Sequence, residues 1–281
     1  MSKRKHNKIK GSGGQNRAES APRPHQPARP SNRQSGGGGG GGAWIFGRHA
    51  ALAALRNPAR DVRRIAALAG MAKELAEIQD FPTFRPRVEV MERDAIERLV
   101  PRGAVHQGIA VLAAPLADPG VEGLCAELEA WKSAIVLILD QATDPHNVGA
   151  VLRSAAAFGA AAVITQDRHA PEVTGTLAKA ASGALENVPL VAATNISRAM
   201  KLLKDAGFWC LGLDGDARTK IADADVSGKV ALVLGAEGAG LRRLVKENCD
   251  TLVHIPIADA MESLNLSTAA GISLYEVARR R

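Results

Sequence analysis

Ala134-Ile135-Val136-Leu137-Ile138-Leu139-Asp140 is the stretch on which the fold turns. Six apolar residues in succession, closed by a carboxylate, show neither strand alternation nor a helical stripe. Such runs suit strands of a parallel sheet covered on both faces. Moving toward the C-terminus, comparable strands are expected at Ala161–Thr165, Val188–Ala192, Trp209–Leu213, Val230–Leu234 and Leu252–Ile257. Helical stretches fall between most of them, at Asn147–Phe158, Gly175–Leu185, Ile196–Ala206 and Leu241–Glu247. This alternation predicts a parallel α/β sheet over residues 133–281. The last strand leads through a polar turn into a small-residue helix. Ser263, Asn265, Ser267 and Thr268 mark its start, because first-turn N–H groups favour side-chain oxygens. The polar cluster fits Ser263 as an ordinary cap, or a helix N-terminus facing a ligand.

Toward the N-terminus, residues 115–132 carry Pro115, Pro119 and Gly120 and suit a linker with a short helix. Before it, residues 43–114 suit a small α/β domain. Order begins at Ala43, and an Ala/Leu-rich helix runs to about Arg56 before Asn57-Pro58 stops it. Strands are expected at Arg63–Leu68, Arg87–Val90 and Ile109–Ala113, with helices at Met71–Asp80 and Asp94–Leu99, Asp94 near the cap. His106, just before the last strand, fits a structural role better than a catalytic one.

Residues 1–42 differ in kind. They hold nine Lys or Arg against one acid, Glu19, a net of +8, and end in seven glycines. The remaining chain has 27 basic (36 less 9) and 28 acidic (29 less 1) residues, a net of −1. The pI of 9.6 therefore belongs to the tail. With almost no apolar residues the tail is expected to be disordered, and its charge suits sequence-independent contact with nucleic-acid phosphates. No run approaches the ~20 apolar residues of a membrane span. Cys125, Cys210 and Cys249 have no metal-ligand spacing and suit reduced thiols in a cytoplasmic protein; none has a neighbouring base that suggests a nucleophile.

In open α/β sheets, ligands sit beyond the carboxyl ends of the strands. Three such ends carry marked segments: Asp144-Pro145-His146-Asn147-Val148-Gly149-Ala150-Val151-Leu152-Arg153, Gly235-Ala236-Glu237-Gly238-Ala239-Gly240, and Ile255-Pro256-Ile257 followed by Ser263-Leu264-Asn265-Leu266-Ser267. The first strand lacks the glycine-rich turn of a dinucleotide fold, and the glycines follow the fifth strand instead. Taken alone, that turn fits a tight bend as well as a close backbone approach to a ligand.

Together, the three segments resemble the SpoU (TrmH) family of RNA ribose 2′-O-methyltransferases in order, spacing and placement over about 150 residues. Phe46-Gly47-Arg48-His49-Ala50 and His106-Gln107-Gly108-Ile109 look like the family's small substrate-binding domain, most similar to members that methylate a guanosine of 23S rRNA in the peptidyl-transferase P loop. Whereas the strand pattern alone gives an open doubly wound sheet, the resemblance implies a C-terminal trefoil-knotted methyltransferase domain. It also implies a homodimer through that domain, RNA as substrate, and no metal. S-adenosylmethionine is implied as cofactor, held largely by backbone at Gly235, Ile255 and Leu264, with Leu234 and Gly238 beside it. Arg153 is implied as the central catalytic residue, with Asn147, Glu237, Ser263 and Asn265 completing the constellation. A guanidinium with a pKa above ~12 is a poor base, so Arg153 is read as a cation that orients phosphate and steadies developing alkoxide. His146 suits a turn residue. The chain departs from the family pattern at Ala258-Asp259-Ala260, where a glycine is usual, and Asp259 adds negative charge there. Methylation of tRNA ribose is an alternative reading, as is a non-catalytic RNA-binding assembly factor. Residues 44–114 favour rRNA over the first, and retention of Arg153, Glu237 and Asn265 disfavours the second.

Overall fold

The computed structural model describes residues 42–78, 85–168 and 173–281. The expected basic tail lies outside them except for Gly42, as do the last two residues of the helix expected over Met71–Asp80.

The first sheet is built from β1 (Ala43–Phe46), β2 (Val62–Ala67), β3 (Val88–Val90) and β4 (Ile109–Ala113), in the order β1-β4-β2-β3. Its helices are α1 (Arg48–Arg56), α2 (Ala69–Glu77) and α3 (Arg93–Glu97). β1 is a strand that sequence patterning left unassigned, since four residues are too few to show a period. Asp94 falls in the first turn of α3, near its cap Glu92. The two motifs singled out in this region meet in space. Gln107 Oε1 accepts from Arg48 N at 2.9 Å, closing the start of α1 where Gly47 turns with φ 90°. His106 is buried at 3% exposure, and its Nδ1 accepts from Gly108 N at 3.1 Å. Both are structural turns.

After α4 (Gly120–Glu127), the chain enters β5 (Ala134–Leu139), every residue of which is buried, as its unbroken apolar run requires. Then follow α5 (Pro145–Ala157), β6 (Ala162–Gln166), α6 (Gly175–Ala181), β7 (Leu190–Ala193), α7 (Ile196–Asp205), β8 (Phe208–Leu213), β9 (Thr219–Lys220), β10 (Lys229–Leu234), α8 (Arg243–Glu247), β11 (Thr251–His254) and α9 (Leu266–Ala278). Seven strands form one sheet in the order β7-β6-β5-β10-β8-β11-β9, each neighbouring pair parallel. Asp144 caps α5, accepting from His146 N at 3.0 Å, with Pro145 in the first turn; proline costs nothing there because its N–H would have no partner.

Some expected elements have other bounds. The helix over Gly175–Leu185 stops at Ala181, where Ser182 turns left-handed at φ 53°, and resumes as a 3₁₀ turn over Ala184–Glu186. The helix expected from Leu241 starts at Arg243. The strand expected to Ile257 ends at His254, because its partner β9 is two residues long and pairs no further.

The two sheets share one apolar core. Ile45, Leu55, Ile65 and Val111 of the first pack in the same cluster as Leu137, Val148, Leu177 and Leu274 of the second. Gly175 sets their spacing: a Cβ there would stand 2.2 Å from Trp44 O and 2.5 Å from the Phe46 ring. Gly149 does the same between α5 and α6, where a Cβ would lie 2.5 Å from that of Ala180. Among the described residues, no helix is long and apolar enough to cross a membrane.

Candidate functional site

The carboxyl ends of β8, β10 and β11 open into one cleft of about 570 Å³. All five residues expected to hold a cofactor, Leu234, Gly235, Gly238, Ile255 and Leu264, line it. Because β11 ends early, Ile255 contributes as irregular backbone rather than as strand. Gly238 and Gly240 have φ of 78° and 65°, a left-handed turn that L side chains adopt only with strain. Gly235 is required for a different reason. A Cβ there would stand 2.0 Å from Gly240 C and 2.3 Å from Leu241 N. It is the chain's own backbone that approaches Gly235 closely.

The polar constellation centres on Glu237. Its Oε1 accepts from Asn147 Nδ2 at 3.0 Å, Asn265 Nδ2 at 2.7 Å and Leu266 N at 3.2 Å. Asn265 Nδ2 also donates to Asn147 Oδ1 at 3.1 Å. One carboxylate thus joins the loop after β10, the first turn of α5 and the start of α9. Asn265, and not Ser263, caps α9: its Oδ1 accepts from Ser267 N at 2.9 Å, Ser267 Oγ at 2.6 Å and Thr268 N at 3.4 Å. These contacts overturn Ser263 as cap. They also occupy the helix N-terminus, whose N–H groups at residues 266–268 are bound by the chain's own side chains. Ser263 lines the cleft.

Arg153 stands apart. It is exposed on α5 and does not line the cleft. Six residues beyond Asn147, at ~100° per residue, it lies roughly 120° around the helix axis from Asn147. Among the described residues it makes no hydrogen bond or ion pair. Its neighbour Ser154 faces α9, with Oγ 3.5 Å from where a Gly271 Cβ would stand.

Sequence reasoning missed two charged pairs, one in the cleft wall and one behind it. Asp214 and Asp216 enter its wall from the turn after β8, and Lys246 Nζ lies 2.5 Å from Asp214 Oδ2. That hydrogen bond raises the Lys246 ammonium above its ordinary pKa. Asp140, 1% exposed, accepts from Arg242 Nε at 2.8 Å and Arg242 N at 3.1 Å. A carboxylate directly after a buried strand was the available signal; its partner, 102 residues on, was not visible. The thiols take no part: burial pushes Cys210 and Cys249 up to about 12. No group of three or more His, Cys, Asp or Glu among the described residues is placed to hold a metal.

The SpoU rRNA Methylase family matches residues 134–275, and the RNA 2′-O ribose methyltransferase substrate-binding family matches residues 44–119. The chain is 40% identical over 241 residues to the 23S rRNA (guanosine-2′-O-)-methyltransferase RlmB of Vibrio cholerae, covering 84% of this chain and 96% of that protein. It is 40% identical over 246 residues to RlmB of Xanthomonas campestris, covering 85% and 96%. The crystal structure of the SpoU methyltransferase AviRb from Streptomyces viridochromogenes in complex with AdoMet shares the fold, at a TM-score of 0.70 and 24% identity over 85% of this chain and 90% of that one.

Proposed function

Since the chain belongs to the SpoU rRNA Methylase family, we propose that it transfers a methyl group from S-adenosylmethionine to the ribose 2′-OH of a guanosine in 23S rRNA, in the P loop. The observation that carries this reading is the meeting of Asn147, Glu237 and Asn265 beside the cleft lined by Leu234, Gly235, Ile255 and Leu264.

The cleft fits the cofactor. Its volume lies in the range of small-molecule sites. Its walls combine apolar Leu234, Leu241, Val253 and Ile257 with carboxylates at Asp214, Asp216 and Glu262, a lining suited to a nucleoside that carries positive charge. When bound, S-adenosylmethionine supplies an electrophilic methyl on sulfonium sulfur. The protein's share is orientation and charge. Glu237 holds the two asparagines rigid, which fixes the geometry an in-line displacement demands. Ser263 offers a hydroxyl for hydrogen bonding to the ribose. Arg153 acts as a cation on RNA phosphate and developing alkoxide.

Residues 43–114 take the role of the RNA-gripping module, and residues 1–42 add electrostatic attraction. A trefoil knot closes residues 133–281. In support, the loops after β8, β10 and β11 share one cleft. A homodimer through this domain is part of the proposal. Ile272 and Tyr275 on α9 are exposed at 39% and 56%, and Arg153 is exposed on adjoining α5, outside the lining of its own cleft. A second copy gives those apolar groups cover and Arg153 a cleft to serve. A 23S rRNA substrate sets the work in the cytoplasm.

The test is transfer of label from S-adenosylmethionine to 23S rRNA lacking the modification, against tRNA in parallel. Label in rRNA at a guanosine ribose is the expected result. Label in tRNA alone moves the substrate, and label in neither removes the enzyme reading for both.

A further inference from the structure

Asp140 grips the glycine loop at both of its ends. Its backbone N–H donates to Leu234 O at 2.8 Å, immediately before Gly235. Its carboxylate accepts from the backbone N–H of Arg242 at 3.1 Å, immediately after Leu241, and from Arg242 Nε at 2.8 Å. Arg242 Nη2 lies 2.5 Å from the same Oδ1. Between these two anchors runs the segment that lines the cleft and carries Glu237. The carboxylate is fully buried while the guanidinium is 40% exposed, so the anchor is fixed in the sheet and the loop is drawn onto it.

We propose that Asp140 is a positioning residue for the methyl transfer. It acts through Arg242 to hold the 235–241 loop in its cofactor-binding shape, with the anchored end set by β5. The inference rests on the functional reading above. Asp140 does not line the cleft, so its effect reaches the cofactor only through loop geometry. Apparent affinity falls with the fraction of molecules that hold the binding-competent loop, so a loop released for most of the time costs binding steeply.

Calorimetric titration of S-adenosylmethionine and of S-adenosylhomocysteine into the full chain separates the possibilities. Asp140→Asn keeps shape and removes the charge that Arg242 grips. It is expected to weaken both ligands by about tenfold to a hundredfold, as a loop in its binding shape only about a tenth to a hundredth of the time would, and in a transfer assay to raise KM for the cofactor far more than it lowers kcat. Arg242→Gln keeps the backbone N–H contact and is expected to lose less affinity, in the same direction. It also serves if Asp140→Asn does not fold, because Arg242 is half-exposed. Ile96→Ala, a core change in a cluster that shares no residue with the cleft lining, controls for stability: it should lower Tm and leave affinity unmoved. If wild type binds and both Asp140→Asn and Arg242→Gln bind as wild type does, the clamp is overturned. A loss of affinity in Ile96→Ala matching theirs overturns it too, by reducing the effect to general destabilisation. If wild type binds neither ligand, the methyltransferase reading itself fails.

Discussion

Glu237 was recognisable in the sequence as a carboxylate on a glycine turn, and its partners complete the picture: three N–H groups converge on one of its oxygens. Arg153 was equally visible, yet it stands outside that network. For Arg153→Ala, turnover should fall by about a hundredfold or more while the affinity for S-adenosylmethionine, measured by calorimetry, stays within about threefold. Near-wild-type turnover would remove Arg153 from the reaction. His106 gives a prediction about stability. Burial lowers its pKa below the usual imidazole value, and its Nδ1 must stay unprotonated to accept from Gly108 N. The unfolded chain therefore binds the proton more readily than the folded one. The stabilisation is complete above about pH 6.5 and is lost as pH falls toward the lower folded value. Tm measured from pH 7.5 down to 5 should drop, and His106→Gln should flatten that drop. What remained invisible at this scale was partnership across the chain. Asp140 and Arg242, like Asp214 and Lys246, are ordinary charges until the fold brings them together.

At the level of elements, legibility followed burial. β5 could be read outright because both of its faces are covered, so every position had to be apolar. The end of β11 could not, because Ile255-Pro256-Ile257 continues the apolar pattern after its pairing partner has run out. Hydrophobic periodicity reports what is covered, and Ile255 and Ile257 line a cleft instead of pairing with a neighbouring strand. The cap of α9 follows a related logic: Ser263 and Asn265 both carry capping side chains, and it is Asn265 Oδ1 that accepts from Ser267 N and Thr268 N. The helix ends also show which glycines are structural. Gly175→Ala places a methyl group against Trp44 O and the Phe46 ring. Its expected cost is at least about 1–3 kcal/mol by overpacking, seen as a lower urea midpoint with the slope unchanged. A midpoint equal to wild type would mean that α6 can move away from β1 freely.

For the molecule as a whole, the interface between the two sheets is bound by charge as well as by apolar packing. Glu186, in the 3₁₀ turn after α6, accepts from Arg60 Nη2 at 2.6 Å, Arg60 Nε at 3.1 Å and Asn57 Nδ2 at 2.8 Å. Arg60 and Glu186 side chains are only 4% and 5% exposed. Glu186→Gln strands the guanidinium in a buried place, and about 3–5 kcal/mol of stability should be lost, read from denaturant unfolding. A loss below about 1 kcal/mol, the range of surface pairs, would refute that the pair is sealed. The basic charge of residues 1–42 has a different signature. Removing residues 1–42 should weaken RNA binding and lessen its dependence on salt, with the thermal transition unmoved. An unchanged salt slope would show that the arm does not touch RNA.

The contact of Gly175 with Trp44 has a consequence for how such a chain diverges and how it can be recombined. The first residue of α6 belongs to the catalytic sheet by sequence, but its shape is dictated by β1 of the other. Neither module can drift alone at that seam. A chimera that takes residues 43–114 from a distant relative inherits a surface cut for a different α6, and it should fold well only if residues 174–186 are carried over with it.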